Sequence, residues 1–285
     1  MIFQGKKYDL AFIGLGASNS LIINSLSIIG ILNKLNIVVI EPDAKSKNDK
    51  TYCFWATPDE VKNLQIETLI DQSWSKLTCK PVENADIFPL RYYHISSIQL
   101  YDHTKLLLSG CNVDFYQENV IGLVESKNKE LLLISTDKTT LQAKRAFDSR
   151  PPEWNNAKEH QTYLWQSFLG WKIETSKPVF DRDVFTMMDF EVDQSDATQF
   201  IYILPYSDCH ALVELTRFGT TCIELDYARE QLQKYCSEKK WTFTLLEEEQ
   251  GRIPMCTAEI NQRSIHKNHV QTGSAAGKIK PTTGY

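Results

Sequence analysis

Tyr8-Asp9-Leu10-Ala11-Phe12-Ile13-Gly14-Leu15-Gly16-Ala17-Ser18-Asn19 is an apolar run that breaks into a glycine-punctuated turn, and Ser20 to Leu32 then reads as a helix. Ile37-Val38-Val39-Ile40 follows as a second apolar strand and ends on Glu41. Strand, glycine turn, helix, strand and terminal acid, at these spacings, form the fingerprint of a dinucleotide-binding unit. Gly14 permits the tight turn, Gly16 lets backbone N–H groups approach a pyrophosphate, and the helix N-terminus offers positive potential to that anion. Glu41 suits the hydroxyls of an unphosphorylated adenosine ribose, as in FAD or NAD, because a carboxylate there repels a 2′-phosphate. Asn19 occupies the third fingerprint position in place of glycine, which predicts looser packing of helix on strand. A glycine-rich turn in some other α/β protein remains the plainer reading of this stretch alone.

The uncharged segment from Leu10 to Asn33 would pass a crude hydropathy test for a membrane span. Gly14, Gly16, Ser18, Asn19, Ser20, Asn24, Ser25, Ser27 and Gly30 punctuate it, so a strand, a turn and a buried helix is the better reading. At 285 residues the chain can bury a large core in one unit or two intimately joined ones. A net charge of −5 gives no electrostatic footprint for nucleic acid, whose binding depends on clustered Lys and Arg. The 7 cysteines are scattered, with no C-x-x-C, and the 6 histidines show no ligand spacing, so neither a disulfide framework nor a metal site is expected. No serine sits in a nucleophile-elbow context.

Beyond Glu41, Ser97 to Ser109 reads as a helix and Val113 to Tyr116, Val120 to Glu125, Leu131 to Ser135 and Ala143 to Asp148 as strands. Asp148-Ser149-Arg150-Pro151-Pro152 closes that run, because Pro-Pro stops regular structure. Phe168 to Ile173, Val184 to Phe190 and a hairpin of Phe200 to Leu204 with Ala211 to Phe218 predict a second, antiparallel region. Tyr227 to Lys239 reads as a helix, and Thr242 to Glu249 as extended and acid-rich. In the hairpin one carboxylate, Glu214, sits within an apolar strand and shares a face with Leu212, Thr216 and Phe218. A carboxyl group so placed loses hydration of its charged form and stays protonated near neutrality, which is the condition for a general acid. The alternatives are an edge strand, or an ion pair with Arg217 and no chemical role.

Several stretches together resemble the FAD-dependent lycopene cyclases of bacterial carotenoid synthesis. They are Gly14 to Asn19, Asn48-Asp49-Lys50-Thr51-Tyr52-Cys53-Phe54-Trp55, Gln166 to Trp171, Met188-Asp189-Phe190, the hairpin from Tyr202 to Thr216, Gly251 to Met255, and Thr272 through Tyr285. Lys50 and Tyr52 stand where the family pattern has Arg and Trp. The resemblance implies an α/β fold, with a Rossmann-like FAD/NAD(P)-binding domain over 1–152, to which 251–285 returns. A discontinuous antiparallel substrate domain is expected over 153–250. It further implies Glu214 as the catalytic acid, and a flavin held by Gly14, Gly16, Ala17, Glu41, Gly273, Gly277, Pro281, Thr282 and Gly284. The expected activity is a non-redox cyclisation of lycopene ends to β-ionone rings, an isomerase reaction with reduced FAD as cofactor and NAD(P)H as reductant. Phe168, Trp171, Phe190 and Phe218 are expected in the pocket wall. The expected setting is the cytoplasm, peripherally on the inner face of the membrane that holds the substrate. The resemblance also implies further sequence beyond Tyr285. A redox flavoenzyme of the same architecture, such as a monooxygenase or prenyl reductase, and a non-catalytic nucleotide- or carotenoid-binding remnant are the competing expectations.

Overall fold

A computed structural model describes residues 2–127, 130–150, 163–194, 196–256 and 267–277. The chain opens with β1 (Ile2–Ile13), turns through Gly14 into helix α1 (Ala17–Ile28), and returns as β2 (Asn36–Ile40). There follow β3 (Thr51–Ala56), the short helix α2 (Pro58–Asn63), β4 (Gln72–Trp74), β5 (Lys76–Cys79), β6 (Val82–Asp86) and β7 (Arg91–Ser96). Helix α3 (Ser97–Ser109) leads to β8 (Asn112–Tyr116), β9 (Val120–Glu125), β10 (Leu132–Thr136) and β11 (Thr139–Asp148). The remainder comprises β12 (Tyr163–Thr175), β13 (Val184–Asp189), β14 (Thr198–Pro205), β15 (His210–Gly219), helix α4 (Leu225–Glu238), β16 (Phe243–Cys256) and β17 (His269–Gln271).

Three sheets result among the described residues. The first is seven-stranded, ordered β8-β2-β1-β11-β10-β9 with β17 beside β11. Its β8, β2, β1, β11 and β17 run parallel, which a crossover helix between β1 and β2 makes possible. One face packs Phe12, Ile37 and Val39 against Ile23 of α1 and Leu108 of α3, and the other buries Tyr8, Ile13, Val38 and Ile40 under the β9–β10 hairpin. Full burial of each such aliphatic side chain contributes about 1.5–3 kcal/mol. The predicted helix after the glycine turn begins at Ala17, directly behind Gly16, and gives way before Gly30, whose φ of 71° is left-handed.

The second sheet, ordered β16-β12-β15-β14-β13-β5-β6, is largely antiparallel. Period-two alternation sends Trp171, Ile201, Ile203, Val213 and Leu215 to one face, where Leu232 and Tyr235 of α4 cover them. Leu204 and Leu212 point the other way, toward Trp74, Tyr92 and Phe185. The third sheet, β3-β7-β4, stands on that second side and faces the antiparallel sheet. Strands β3 to β6 are not among the strands that the sequence pattern predicts. Strands β5 and β6 join the antiparallel sheet, and β16 runs unbroken through Gly251 to Cys256. A boundary drawn at 251 therefore falls inside a strand, and the described return to the parallel sheet is β17. No helix among the described residues is long and apolar enough to cross a membrane.

Candidate active site

The nucleotide-type turn lies at the carboxyl ends of β1 and β2. Gly14 adopts φ 86°, and a Cβ there would fall 2.3 Å from Ser149 Oγ, so only glycine fits. Gly16 precedes α1 with nothing beyond its own chain neighbours within 4 Å of where its Cβ would stand, and no side chain caps the helix. That open, uncapped backbone fits an anionic ligand such as a pyrophosphate. Glu41 closes β2, accepting from Leu15 N–H at 2.7 Å and from Asp43 N–H at 3.0 Å, which ties the acid to the glycine turn.

Asn19 corrects the expectation of loose packing. It is wholly buried, its Nδ2 donates to Gly14 O at 2.7 Å and Ile13 O at 3.2 Å, and its Oδ1 accepts from Thr272 Oγ1 at 3.0 Å. The amide thereby pins the turn, the helix and the segment after β17, work that a glycine cannot do. Through Thr272 the next residue, Gly273 (φ 60°), is brought against α1, where a Cβ would lie 2.9 Å from Ser18 Oγ. Gly277 ends the short helical turn that Gly273 starts. Gly14, Gly16, Ala17, Glu41 and Gly273 thus gather at one end of the parallel sheet, with Gly277 one turn on. Pro281, Thr282 and Gly284 lie outside the described residues.

Glu214 lies elsewhere, in a cavity of about 390 Å³ between the antiparallel sheet and β3. Strand β15 is interior, flanked by β12 and β14, so the edge-strand alternative does not hold. Arg217, an odd number of residues away, projects to the opposite face, and among the described residues no ion pair reaches Glu214. The Glu214 side chain lines the cavity together with Leu212, Phe168, Tyr202, Leu204 and Cys53. Burial, reinforced by the nearby Glu249 carboxylate, pushes its pKa up to about 8, against a hydrogen bond from Thr216 Oγ1 at 2.9 Å. The same desolvation raises the Cys53 thiol beside it and the Tyr206 phenol close by, so burial disfavours charge at the Glu214 end of the cavity.

Two glycines make the space. A Cβ on Gly170 would meet Leu212 Cδ1 at 2.9 Å and Glu249 Cγ at 3.1 Å, and one on Gly251 would strike Phe168 Cζ at 2.4 Å. Of the four expected wall residues only Phe168 lines the cavity. Trp171 alternates onto the α4 face, Phe190 is 44% exposed beyond the end of β13, and Phe218 packs at a tilt against Phe200, with ring centroids 5.9 Å apart. Asp189, the next acid along that stretch, serves a different place. Burial works to raise its pKa, but hydrogen bonds from Tyr235 Oη and Glu191 N–H, with Lys80 and Lys239 nearby, hold it low.

The sequence reading missed Glu249. It lines the same cavity, accepts from Thr51 Oγ1 at 2.8 Å, and has a raised pKa through burial. It also missed Tyr52, which lines the cavity while its hydroxyl engages the Ala17 backbone and lies 3.1 Å from Tyr101 Oη. Tyr52 therefore connects the acid cavity to the nucleotide turn.

A sequence profile of the family described as lycopene cyclase protein matches residues 9–285. A lycopene beta-cyclase of Pantoea ananas is 24% identical over 98% of this chain and 70% of its own length. Among solved structures, a geranylgeranyl bacteriochlorophyll reductase-like protein of Thermoplasma acidophilum superposes with a TM-score of 0.67 at 13% identity, covering 98% of this chain and 74% of that one. A flavin-dependent halogenase from Xanthomonas campestris gives a TM-score of 0.63 at 11% identity over 97% of this chain and 67% of that one. The shared fold is the α/β architecture of such flavoenzymes, with a Rossmann-like sheet joined to an antiparallel one.

Proposed function

The chain belongs to the lycopene cyclase protein family, and from that premise we propose that it is an isomerase closing the ends of lycopene to β-ionone rings, with Glu214 as proton donor. The observation that carries this reading is a carboxyl group on the cavity wall whose pKa burial and a neighbouring carboxylate push up to about 8, so that it is protonated near neutrality. Cyclisation needs such a group: a proton adds to a terminal alkene carbon, a carbon–carbon bond closes the six-membered ring, and a ring proton leaves. Atoms and electrons balance, and no net redox change occurs. A neutral Glu214 enters the apolar cavity without the penalty of a buried charge and gives up its proton only as the cation forms. Phe168 and Tyr202 bring aromatic side chains to the cavity lining, where π-electron density would favour a transient cation. A cavity of about 390 Å³ suits one end group of an extended hydrocarbon rather than its full length.

Gly14, Gly16, Ala17, Glu41, Gly273 and Gly277 would hold FAD, joined by Pro281, Thr282 and Gly284. Reduced FAD, with NAD(P)H as its electron source, would supply negative charge near the transient cation. Tyr52 orients the cavity wall toward that site through its contact with Ala17. The substrate is a hydrocarbon that dissolves in a bilayer and hardly in water, which supports peripheral attachment at the cytoplasmic face of a membrane.

Expression in cells that accumulate lycopene, followed by pigment analysis, tests the reading. It predicts β-ring products of unchanged mass. A product differing from lycopene by hydrogen or oxygen would assign the chain to a redox flavoenzyme instead.

A further inference from the structure

Gly170 in β12 pairs with Glu214 of β15 on one side and with Glu249 of β16 on the other. All three positions share one face of the sheet, and the glycine between them has no side chain. The two carboxyl-bearing chains therefore flank a gap, and both line the same cavity. Thr51, on a strand of the facing sheet, donates its hydroxyl to Glu249 at 2.8 Å, while Thr216 donates to Glu214 at 2.9 Å. We propose that Glu249 is the positioning partner of Glu214. Its carboxylate, held by Thr51 across the gap at Gly170, keeps Glu214 in the proton-bearing form, so that the pair holds one proton between them.

Two carboxyls brought together in a cavity of low polarity do not both ionise readily, and the group with better support for its charge ionises first. Glu249 has that support. Lys172 of β12 and Lys50 ahead of β3 both favour its charged form, against Glu247 on its own strand. For Glu214 no cation offsets burial and the Glu249 carboxylate; among the described residues only the Thr216 hydroxyl favours its charged form. Glu214 faces Glu249 from β16, Cys53 from β3, Tyr92 from β7 and Tyr202 from β14, with Tyr206 in the turn that follows, and Asp49, Lys50 and Arg252 stand in the cavity lining. Buried thiol and phenol groups carry no charge near neutrality, so Glu249 is the negative neighbour that bears on Glu214. When Glu214 passes its proton to an alkene, both carboxyls become anionic; the proton released on ring closure restores one to the pair.

This inference rests on the proton-donor reading of Glu214, and one experiment separates the two. Infrared spectroscopy of the protein, with isotope-labelled glutamate, follows the stretch of a protonated carboxyl group against pH. The parent is expected to show a band that disappears as pH rises, with a midpoint near 8, and Glu214→Gln to lack it. Glu249→Gln should keep the band and move its midpoint down by on the order of one pH unit. Glu249→Asp, which preserves the charge, should retain most of the raised midpoint, and Thr51→Val should lower it by less than Glu249→Gln does. Near-ultraviolet circular dichroism checks each fold, and Thr51→Val reads the same midpoint if Glu249→Gln does not fold. A midpoint unmoved by Glu249→Gln or by Thr51→Val overturns the pairing alone. A band that survives Glu214→Gln overturns the proton-donor reading and the pairing with it.

Discussion

Glu214 has a folded-state pKa near 8, above the ordinary value of 4.5, so the fold favours its neutral form. That contribution to stability is complete below pH 4.5 and is lost as pH rises through about 8. Glu214→Gln has no such proton to lose. Thermal unfolding should accordingly show the parent losing stability relative to Glu214→Gln between pH 5 and 9, with the two curves parallel below pH 4.5. Parallel curves throughout would place the Glu214 carboxyl in a water-like environment. At Asn19 the sequence invites the opposite experiment, since glycine would complete the dinucleotide fingerprint. Asn19→Gly should nevertheless lower stability by about 1–3 kcal/mol, measured by denaturant unfolding, because Gly14 O and Thr272 Oγ1 lose a buried partner. Glu214 was legible because an acid inside Leu212-Val213-Glu214-Leu215 contrasts with its neighbours. Glu249 was not, since it ends a run of three glutamates that reads as a solvated face, and only the register across Gly170 reveals where it points.

At the level of elements, β12 is the strand on which the site depends, because it lies between the two carboxyl-bearing strands and carries a glycine at the crossing. Gly170→Ala should force Leu212 and Glu249 apart at a cost of about 1–3 kcal/mol in unfolding free energy. The hairpin of β14 and β15 was readable from β-branched runs around Pro205 and Asp208, and the unit β1-α1-β2 from its glycine turn. Strands β4 to β6 were not, being three to five residues long, with β6 mostly exposed and lacking alternation. Helix α2 escaped for a related reason, although Thr57 and Glu60 form a capping box that marks its start. Thr57→Ala should destabilise by about 0.5–2 kcal/mol, read as loss of amide-exchange protection confined to residues 58–63. Loss of protection across the whole third sheet would mean that α2 holds more than itself.

For the whole molecule, the chain returns to its first sheet after traversing the second. Asp148, at the end of β11, anchors that return. Burial works to raise its pKa, yet hydrogen bonds from His269 and Arg150 hold it down to about 2. With a folded value below the ordinary 3.8, its contribution is present above pH 3.8 and is lost as pH falls through about 2. The circuit places the nucleotide turn and the acid cavity on different sheets, bridged by Tyr52, an arrangement that spacing along the sequence does not encode. The central claim is that this bridge joins a flavin site to a proton donor. Its most direct test is lycopene conversion, under anaerobic conditions with chemically reduced flavin, by the parent and by Glu214→Gln. Glu214→Gln should fold and bind flavin as the parent does. General acid catalysis contributes about 10²–10⁴-fold, so its conversion should fall by at least that range, to background. Ring formation by Glu214→Gln at a rate close to the parent's would contradict the account.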